Sequence, residues 1–463
     1  MSAELRFRLN GRLEHTRCSP QTTVLHYLRQ TGRVGTKEGC GDGDCGACTI
    51  AIVGQDAQGK PQYQAVNSCL IPLGAISGRD VLTVEGISAH GLHPVQQAML
   101  EGGSQCGYCT PGFVMSLFAA YYNGEKDDGV LEGNLCRCTG YFPIRKALRS
   151  LGAPRADDPF VLRSGQFSVV SRQHDAETRT FYQPTTLAEV FEILAAQPGA
   201  TLIAGGTDLG LALSHKTQTF SALVALEHVT ELKLTQHTDD TLEIGAGVTL
   251  TKIERSLRGI FPALDEMIRW FAARQIRNRA TIGGNLGTAS PIGDLAPVLL
   301  ALDASVVLAS AEGERTVPLC EYFTAYRQTV RQPHEVIRSV RIPKPIHPEA
   351  ARRYSFAYKV GKRGADDISI VAAAFTVDVD AAAVIRHARL AYGGVAAVPI
   401  RAQAVETWLL GKRFDAASVK QAKRMLADTF TPLSDLRASA DYRKRLVGNL
   451  FEKFFVQFAE VLA

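Results

Sequence analysis

A multidomain α+β chain is predicted, and three observations predict it. The 463 residues correspond to about three domains at roughly 150 residues each. Of the ten cysteines, Cys40, Cys45, Cys48, Cys69, Cys106, Cys109, Cys136 and Cys138 lie in the first third, and Cys18 and Cys320 fall outside that set. The apolar pattern alternates at period two near the N-terminus, turns helical after residue 88, and mixes both periods from Phe181 onward.

Composition bounds the class. The chain is 46% hydrophobic, 21% charged and 8% aromatic, an ordinary globular mix that excludes a wholly disordered chain. The 41 Gly follow no three-residue period, which excludes a collagen-like chain. No apolar run approaches the ~18 residues of a membrane-spanning helix. Met1-Ser2-Ala3-Glu4-Leu5-Arg6 carries a carboxylate and no apolar core, unlike a secretory signal. A cytosolic, cytoplasmic protein is therefore expected. A net charge of +5 spread over this length reads as a mixed solvated surface, with no nucleic-acid or membrane footprint. In a reducing cytosol, clustered cysteines point to metal or cluster ligation over disulfides.

Residues 1–87 read as a small β-rich unit with one helix. Leu5, Phe7 and Leu9 alternate, Asn10-Gly11 is a two-residue hairpin turn, and Leu13 resumes the pattern. Val24, Leu25 and Leu28 suit a short helix over the sheet. Thr49–Val53 and Val81–Val84 read as strands. Residues 88–153 read as a helical domain. Pro94 opens one helix, Thr110-Pro111 is an expected N-cap and N1 pair, and Pro143 starts a third. Residues 154–178, with Pro154, Pro159 and Gly165, are expected to be a linker. Residues 179–347 mix α and β. Leu187–Ala195 is helical, and Thr201–Ala204, Leu242–Val248 and Ala280–Asn285 each read as a strand entering glycines. Pro343 and Pro345 mark a boundary, and residues 348–463 carry strands (Ser369–Val379, His387–Tyr392) and then helices. The last helix stacks Leu446, Leu450, Phe451, Phe454, Phe455 and Phe458, an aromatic stripe of the core kind.

The chemistry lies first in the cysteines. Cys40-x4-Cys45-x2-Cys48, with Cys69 beyond, is the plant-type spacing for a [2Fe–2S] centre. Three thiolates must converge from one loop whose amides point at sulfur, and Gly39, Gly41, Gly43 and Gly46 permit the positive φ this needs. A zinc site, the alternative, usually takes two C-x2-4-C pairs. The second set, Cys106-x2-Cys109 and Cys136-x-Cys138, precedes two expected helix starts, whose amides would stabilise thiolates. A zinc knuckle would look similar. Further on, Leu202-Ile203-Ala204-Gly205-Gly206-Thr207-Asp208-Leu209 lacks both G-x-G-x-x-G and a P-loop Lys. Its consecutive amides suit a diphosphate, as do those of Thr281-Ile282-Gly283-Gly284-Asn285. A plain loop turn explains each alone equally well.

Taken together, these motifs resemble the xanthine oxidase family of molybdenum hydroxylases. The stretches Lys37–Cys48, Gln105–Phe113 and Gly133–Tyr141 match its iron–sulfur half, and 202–210 with 281–285 match its FAD domain. The resemblance implies a β-grasp plant-type ferredoxin domain and a small helical [2Fe–2S] domain. It implies an α/β FAD domain of vanillyl-alcohol-oxidase type with a C-terminal α+β subdomain. It places an aromatic flavin contact at Phe271, a polar one at Asp294, an apolar one at Ile337 and a cofactor-contacting lysine at Lys359. Lys362–Ile368 resembles the loop that helps admit nicotinamide in NAD-dependent relatives, although Gly364-Ala365 stand where animal relatives carry more charge. Thr431–Arg443 resembles the family's flavin-domain C-terminus. Cys18 and Cys320 are left as packing residues.

Further implications concern function. The sequence holds no molybdopterin domain, so the resemblance implies the electron-transfer small subunit of a xanthine dehydrogenase. A large molybdopterin-binding partner would oxidise hypoxanthine or xanthine to urate, in a heterotetramer of two small and two large chains. Electrons would pass through the Cys106 set, with Gln105 at the partner interface, then the Cys40 set, then FAD, to NAD⁺. No catalytic acid or base for the purine step is expected in this chain. Three alternatives stand beside this one: the same role in a relative acting on aldehydes, N-heterocycles or carbon monoxide, a partner-free iron–sulfur flavoprotein reductase, and a zinc-stapled interaction module.

Overall fold

The computed structural model describes residues 4–462 apart from 57, 89–90, 164–171, 177–178 and 365. The chain packs into two compact units, Met1–Val229 with Ala272–Ala280, and Thr230–Phe271 with Thr281–Ala463.

The first unit begins with β1 (Leu5–Leu9), β2 (Arg12–Thr16), α1 (Val24–Gln30), β3 (Thr49–Gln55), β4 (Pro61–Asn67) and β5 (Asp80–Leu82). The sheet order is β2-β1-β5-β3-β4, with β1 and β5 parallel. Asn10 (φ 52°) and Gly11 (φ 84°) are both left-handed, the turn that matches strand twist in a two-residue hairpin. The two faces of β3 separate two cores. Ile50 and Ile52 join Leu5, Phe7 and the α1 residues Val24, Tyr27 and Leu28. Ala51 and Val53 join a helical core on the other side, as period-two alternation requires.

That second core belongs to α2 (Pro94–Leu100), α3 (Thr110–Asn123) and α4 (Phe142–Ser150). Every α3 residue from Gly112 to Ala120 is buried, so α3 is a central helix without a solvent stripe. Its cap differs from expectation: Cys109 is the N-cap and Thr110 the first helical residue. The Thr110 hydroxyl donates to Ser104 Oγ at 2.7 Å, which removes it from capping.

The expected linker 154–178 is only partly a linker. Residues 164–171 and 177–178 lie outside the described residues, and 172–176 form a strand. This strand, β6 (Arg172–Ala176), pairs with β7 (Arg179–Gln183) in the register Arg172↔Gln183. It is polar and lacks periodicity, so pairing with its neighbour, and not its own hydrophobic pattern, makes it a strand. Helix α5 (Leu187–Ala196), β8 (Thr201–Ile203), α6 (Leu209–Ser214) and β9 (Ala222–Ala225) follow, and the sheet order is β6-β7-β9-β8. Phe181, Ile203, Phe220 and Leu223 share one core with Leu5, Phe7 and Leu73. This core, together with the one that Ala51, Val53 and Leu82 share with the helices of 94–150, is why the expected boundaries near 87, 153 and 178 all fall inside one compact unit.

The chain then forms β10 (Thr235–His237), β11 (Thr241–Gly245), α7 (Leu250–Ser256) and α8 (Pro262–Trp270) of the second unit. The helix α9 (Arg274–Arg277) lies in the segment that belongs to the first. Helix α10 (Ile282–Thr288) replaces the expected strand at Ala280–Asn285. Thr281 caps it by accepting the Gly284 amide at 3.0 Å, and its glycines lie inside the helix. A Cβ on Gly283 would fall 2.4 Å from Ala246 Cβ, so close helix packing selects the glycine. After α11 (Leu295–Ala301), strands β12 (Ser305–Ser310), β13 (Gly313–Pro318) and β16 (Val336–Pro343) complete the antiparallel order β10-β11-β16-β12-β13. Between β13 and β16 lie α12 (Leu319–Tyr322), β14 (Phe323–Ala325) and β15 (Gln328–Thr329). Cys320 on α12 is exposed, contrary to the packing role expected of it.

The remainder of the second unit is a sheet of β17 (Arg352–Val360), β18 (Val371–Val379), β19 (Ile385–Gly393) and β20 (Ile400–Arg401), in that order. Helices α13 (Gln403–Leu409), α14 (Ala416–Ala427) and α15 (Ala440–Leu462) follow. Leu450, Phe451 and Phe454 are buried against Phe375 and Tyr392 of the sheet, so the aromatic stripe is core.

Candidate functional site

The first thiol group is built by the loop before β3 and the turn after β4. Cys40 Sγ accepts the amides of Asp42 at 3.3 Å and Cys45 at 3.4 Å, and Cys45 Sγ accepts that of Cys40 at 3.3 Å. Cys48 and Cys69 are 2% and 1% exposed, with their sulfurs 3.4 Å apart. Asn67 Nδ2 donates to Gly43 O at 2.5 Å and ties the loop to β4. Gly46 (φ 65°) is required twice over, because a Cβ there would also fall 2.0 Å from Gly133 O.

The thiols act in pairs. The hydrogen bond from Cys45 lowers Cys40 to about 5, helped by the Asp42 amide, and the same bond pushes Cys45 up. Likewise Cys69 lowers Cys48 and is itself driven far up. The charge of Cys40 reaches both Cys48 and Cys69, so the four sulfurs form one electrostatic group.

The second group has the same two-and-two form. The Tyr108 amide, then the Cys138 thiol, lowers Cys106, and Cys106 raises Cys138. Burial, then Cys136, pushes Cys109 up to about 12. Burial opposes ionisation of Cys136, but the Thr139 hydroxyl and amide outweigh it. Those Thr139 groups lie 3.1 and 3.5 Å from Cys136 Sγ, so the donors come from the loop before α4 and not from the helix as expected. Cys106 and Cys138 are exposed. Close to them along the chain are exposed Gln105, Tyr108, Leu135 and Phe142 (74% exposed), and Leu100 (71%) ends α2.

Among the described residues no group of three or more His, Cys, Asp or Glu side chains is arranged around a single metal ion. Paired thiols suit two irons with two ligands each, whereas zinc draws four ligands onto one ion. The protons shared between paired sulfurs are what a metal centre displaces when thiolates bind it. The residues present therefore fit [2Fe–2S] clusters.

Hydrogen bonds order these parts within the first unit. Leu135, one residue before Cys136, donates its amide to Cys45 O at 3.0 Å. On the far side, Leu70, next to Cys69, meets the glycine turn, since a Cβ on Gly210 would fall 2.3 Å from Leu70 O. The second thiol group, the first and the turn thus lie in series. In the turn, Gly206 is left-handed (φ 77°), and a Cβ on Gly205 would fall 1.9 Å from Arg279 O. Arg279 Nε donates to Gly205 O at 3.2 Å. Its guanidinium also contacts Glu227, which accepts from Arg79 at 2.6 Å. This buried triad escaped sequence reading, because its members are 52 and 148 residues apart.

The other expected flavin residues lie in the second unit. Lys359 Nζ donates to Asp294 Oδ2 at 2.8 Å and to Trp270 O at 3.1 Å. Ser369 Oγ donates to Asp294 Oδ1 at 2.5 Å, a partner with no sequence signal. The side chains of Lys359 and Asp294 are 4% and 9% exposed, a buried ion pair beside the half-buried Phe271. Asn285 Oδ1 is buried without a hydrogen-bond partner, as a residue awaiting a polar ligand would be. Ile337 is buried on β16. In Lys362–Ile368, of which Ala365 lies outside the described residues, Asp367 accepts the amides of Lys362 and Arg363 at 2.6 and 2.9 Å. In the 431–443 segment, Arg443 binds Asp435 through two 2.8 Å hydrogen bonds. Glycine turn, capped helix and orphaned amide are features suited to FAD in each unit taken separately.

Four family profiles match the chain in series. They are the 2Fe-2S iron-sulfur cluster binding domain (residues 7–74), the [2Fe-2S] binding domain (83–149), the FAD binding domain in molybdopterin dehydrogenase (175–345) and the CO dehydrogenase flavoprotein C-terminal domain (356–458). The xanthine dehydrogenase of Emericella nidulans is 34% identical over 97% of this chain and 38% of its own length. The xanthine dehydrogenase/oxidase of Gallus gallus is 32% identical over 99% of this chain and 40% of its own length. The chain thus spans about two fifths of these relatives. Among solved structures, a carbon monoxide dehydrogenase from Hydrogenophaga pseudoflava superposes with TM-score 0.56 at 28% identity, covering 59% of this chain and 94% of that one. A quinoline 2-oxidoreductase from Pseudomonas putida 86 does so with TM-score 0.56 at 26% identity, covering 62% and 98%. Among the described residues no helix is long and apolar enough to cross a membrane. The chain belongs to the molybdenum hydroxylase family that includes the xanthine dehydrogenases, and it carries that family's two 2Fe-2S domains and its FAD-binding domain.

Proposed function

We propose that this chain is the electron-transfer subunit of a xanthine dehydrogenase, working in the cytoplasm with a large molybdopterin-binding partner in a heterotetramer of two small and two large chains. The observation that carries this reading is the serial arrangement of a thiol group with two exposed cysteines, a thiol group with two buried cysteines and a glycine turn. Cys106, Cys109, Cys136 and Cys138 hold the outer [2Fe–2S] cluster, where exposed Cys106 and Cys138 can meet an electron donor. Cys40, Cys45, Cys48 and Cys69 hold the inner one. In the first unit Leu202–Leu209 takes the FAD diphosphate. In the second unit, taken by itself, Phe271, Thr281–Asn285, Asp294, Ile337 and Lys359 are the proposed flavin-binding residues. When bound, FAD takes electrons singly and delivers hydride, which joins one-electron clusters to NAD⁺. The protein's own part is to hold, orient and tune these groups by burial and amide donors to sulfur. The purine step needs groups that lie on the partner.

A second reading rests on the likeness to the quinoline 2-oxidoreductase structure: the same electron path serving another N-heterocycle or an aldehyde. One experiment separates them. The protein is purified from its native host and treated anaerobically with xanthine, or with acetaldehyde or quinoline, while cluster and flavin absorbance is followed. Bleaching by xanthine, then NADH formation on adding NAD⁺, is expected. Bleaching by quinoline or acetaldehyde alone would transfer the role to the second reading. Failure of NADH to reduce the protein would overturn NAD as acceptor.

A further inference from the structure

Asn134 sits where the two cysteine segments meet, and it is 1% exposed. Its Nδ2 donates to Gly46 O at 3.0 Å and Thr49 Oγ1 at 3.3 Å. Its Oδ1 accepts from Ser116 Oγ at 2.6 Å and Gln275 Nε2 at 2.9 Å. Gln275 Nε2 also donates to Ser116 Oγ at 3.0 Å. Two acceptors at Nδ2 and two donors at Oδ1 define the amide orientation. Ser116 and Gln275 are 3% and 1% exposed, so these hydrogen bonds lie in a low-dielectric interior where each is stronger than in water, while Gln275 Oε1 has no partner.

The backbones around this side chain are already in contact. A Cβ on Gly112 would fall 2.2 Å from Gly46 O, and Leu135 N–H reaches Cys45 O at 3.0 Å. Asn134 therefore grips the loop that carries Cys45 and Cys48 while standing two residues before Cys136. Ser116 on α3 and Gln275 on α9 hold its other end.

We propose that Asn134, clamped by Ser116 and Gln275, is a positioning residue that sets the separation and mutual orientation of the two iron–sulfur clusters. The proposal rests on the cluster reading above. Asn134 touches no cysteine sulfur in these hydrogen bonds, so its loss leaves both ligand sets intact and changes how they face each other.

The test uses the full holoprotein, reduced with dithionite and measured by low-temperature electron paramagnetic resonance. Two reduced clusters split each other's signals through a dipolar interaction that falls with the inverse cube of their separation. In Asn134→Ala and the milder Ser116→Ala, iron content and both sets of g-values are expected to match wild type, while the splitting collapses and intercluster electron transfer slows. A purely structural role would change thermal stability and leave the splitting alone. Unchanged splitting with both clusters present overturns the proposal. So does loss of a cluster in both variants, which would mark an assembly role. If Asn134→Ala fails to fold, Ser116→Ala decides, together with Gly112→Ala, whose methyl would press on Gly46 O at the same contact. Failure of the underlying reading is separately visible, as a wild-type protein without two cluster signals.

Discussion

Glu227→Gln tests the buried triad behind the glycine turn. Glu227 lies between Arg279, whose side chain is 4% exposed, and Arg79, at 18%. The substitution keeps the shape and removes the charge, leaving the buried Arg279 guanidinium and the part-buried Arg79 guanidinium facing each other without a counter-charge. Removing one partner from a buried ion pair costs about 3–5 kcal/mol. At about 2–4 °C per kcal/mol for a unit of this size, the melting transition of the first unit should fall by about 6–20 °C. Differential scanning calorimetry reads this directly. Burial opposes ionisation of Glu227, but Arg279, then Arg79, hold its carboxyl well below the usual carboxylate range. A depressed pKa contributes stability that is complete above the unfolded value near ~4.3 and is lost as pH falls through the folded one. The gap between wild type and Glu227→Gln should therefore stay level from about pH 8 to about pH 5 and shrink only in stronger acid. Replacing all three residues by apolar ones of similar volume should restore most of the loss, because the penalty belongs to the unpaired charges. A melting temperature for Glu227→Gln within about 2 °C of wild type, below the shift that buried-pair loss requires, would refute this account.

Four further outcomes are expected. Cys48→Ser should abolish the inner cluster signal and Cys106→Ser the outer one, each leaving the other, as read by iron content and paramagnetic resonance. Gly205→Ala drives a methyl to 1.9 Å from Arg279 O; it should cost about 1–3 kcal/mol by overpacking and lower bound flavin while iron is retained. Asp294→Asn leaves the buried Lys359 ammonium without its carboxylate, and should destabilise the second unit by about 3–5 kcal/mol, measured by denaturant unfolding. Phe142→Ser, at a side chain 74% exposed, should leave melting unchanged while reducing co-purification of the large partner and bleaching by xanthine, with reduction by NADH retained.

Features generated within a few residues were legible in the sequence. Asn10-Gly11 announces its hairpin because both positions need positive φ, and the cysteine spacings announce clustered thiols because loop geometry is local. Competition between partners was not legible. Thr110 has a hydroxyl fit for capping, but Ser104 takes it. The Ala280–Asn285 stretch reads as strand and glycine turn, yet Thr281 caps a helix there whose glycines serve contact with Ala246. Strand β6 has no hydrophobic period, so only β7 makes it a strand. Lys359 carries no sign of burial in its neighbours along the chain. Its partners Asp294 and Trp270 lie 65 and 89 residues away, and no local pattern reports a contact at that range.

The short helix Arg274–Arg277 lies in a segment of the first unit reached only after the chain has passed through Thr230–Phe271 of the second. That order has a consequence during synthesis. A ribosome-bound chain that has released its first 229 residues holds all eight clustered cysteines, yet Asn134 and Glu227 still lack Gln275 and Arg279. At translation rates of about 5–20 residues per second, the missing fifty or so residues take seconds to appear. During that interval Asn134 Oδ1 keeps only its Ser116 donor and Glu227 only its Arg79 partner, so the contacts between the two cysteine segments and behind the glycine turn are completed last, when α9 packs into the first unit.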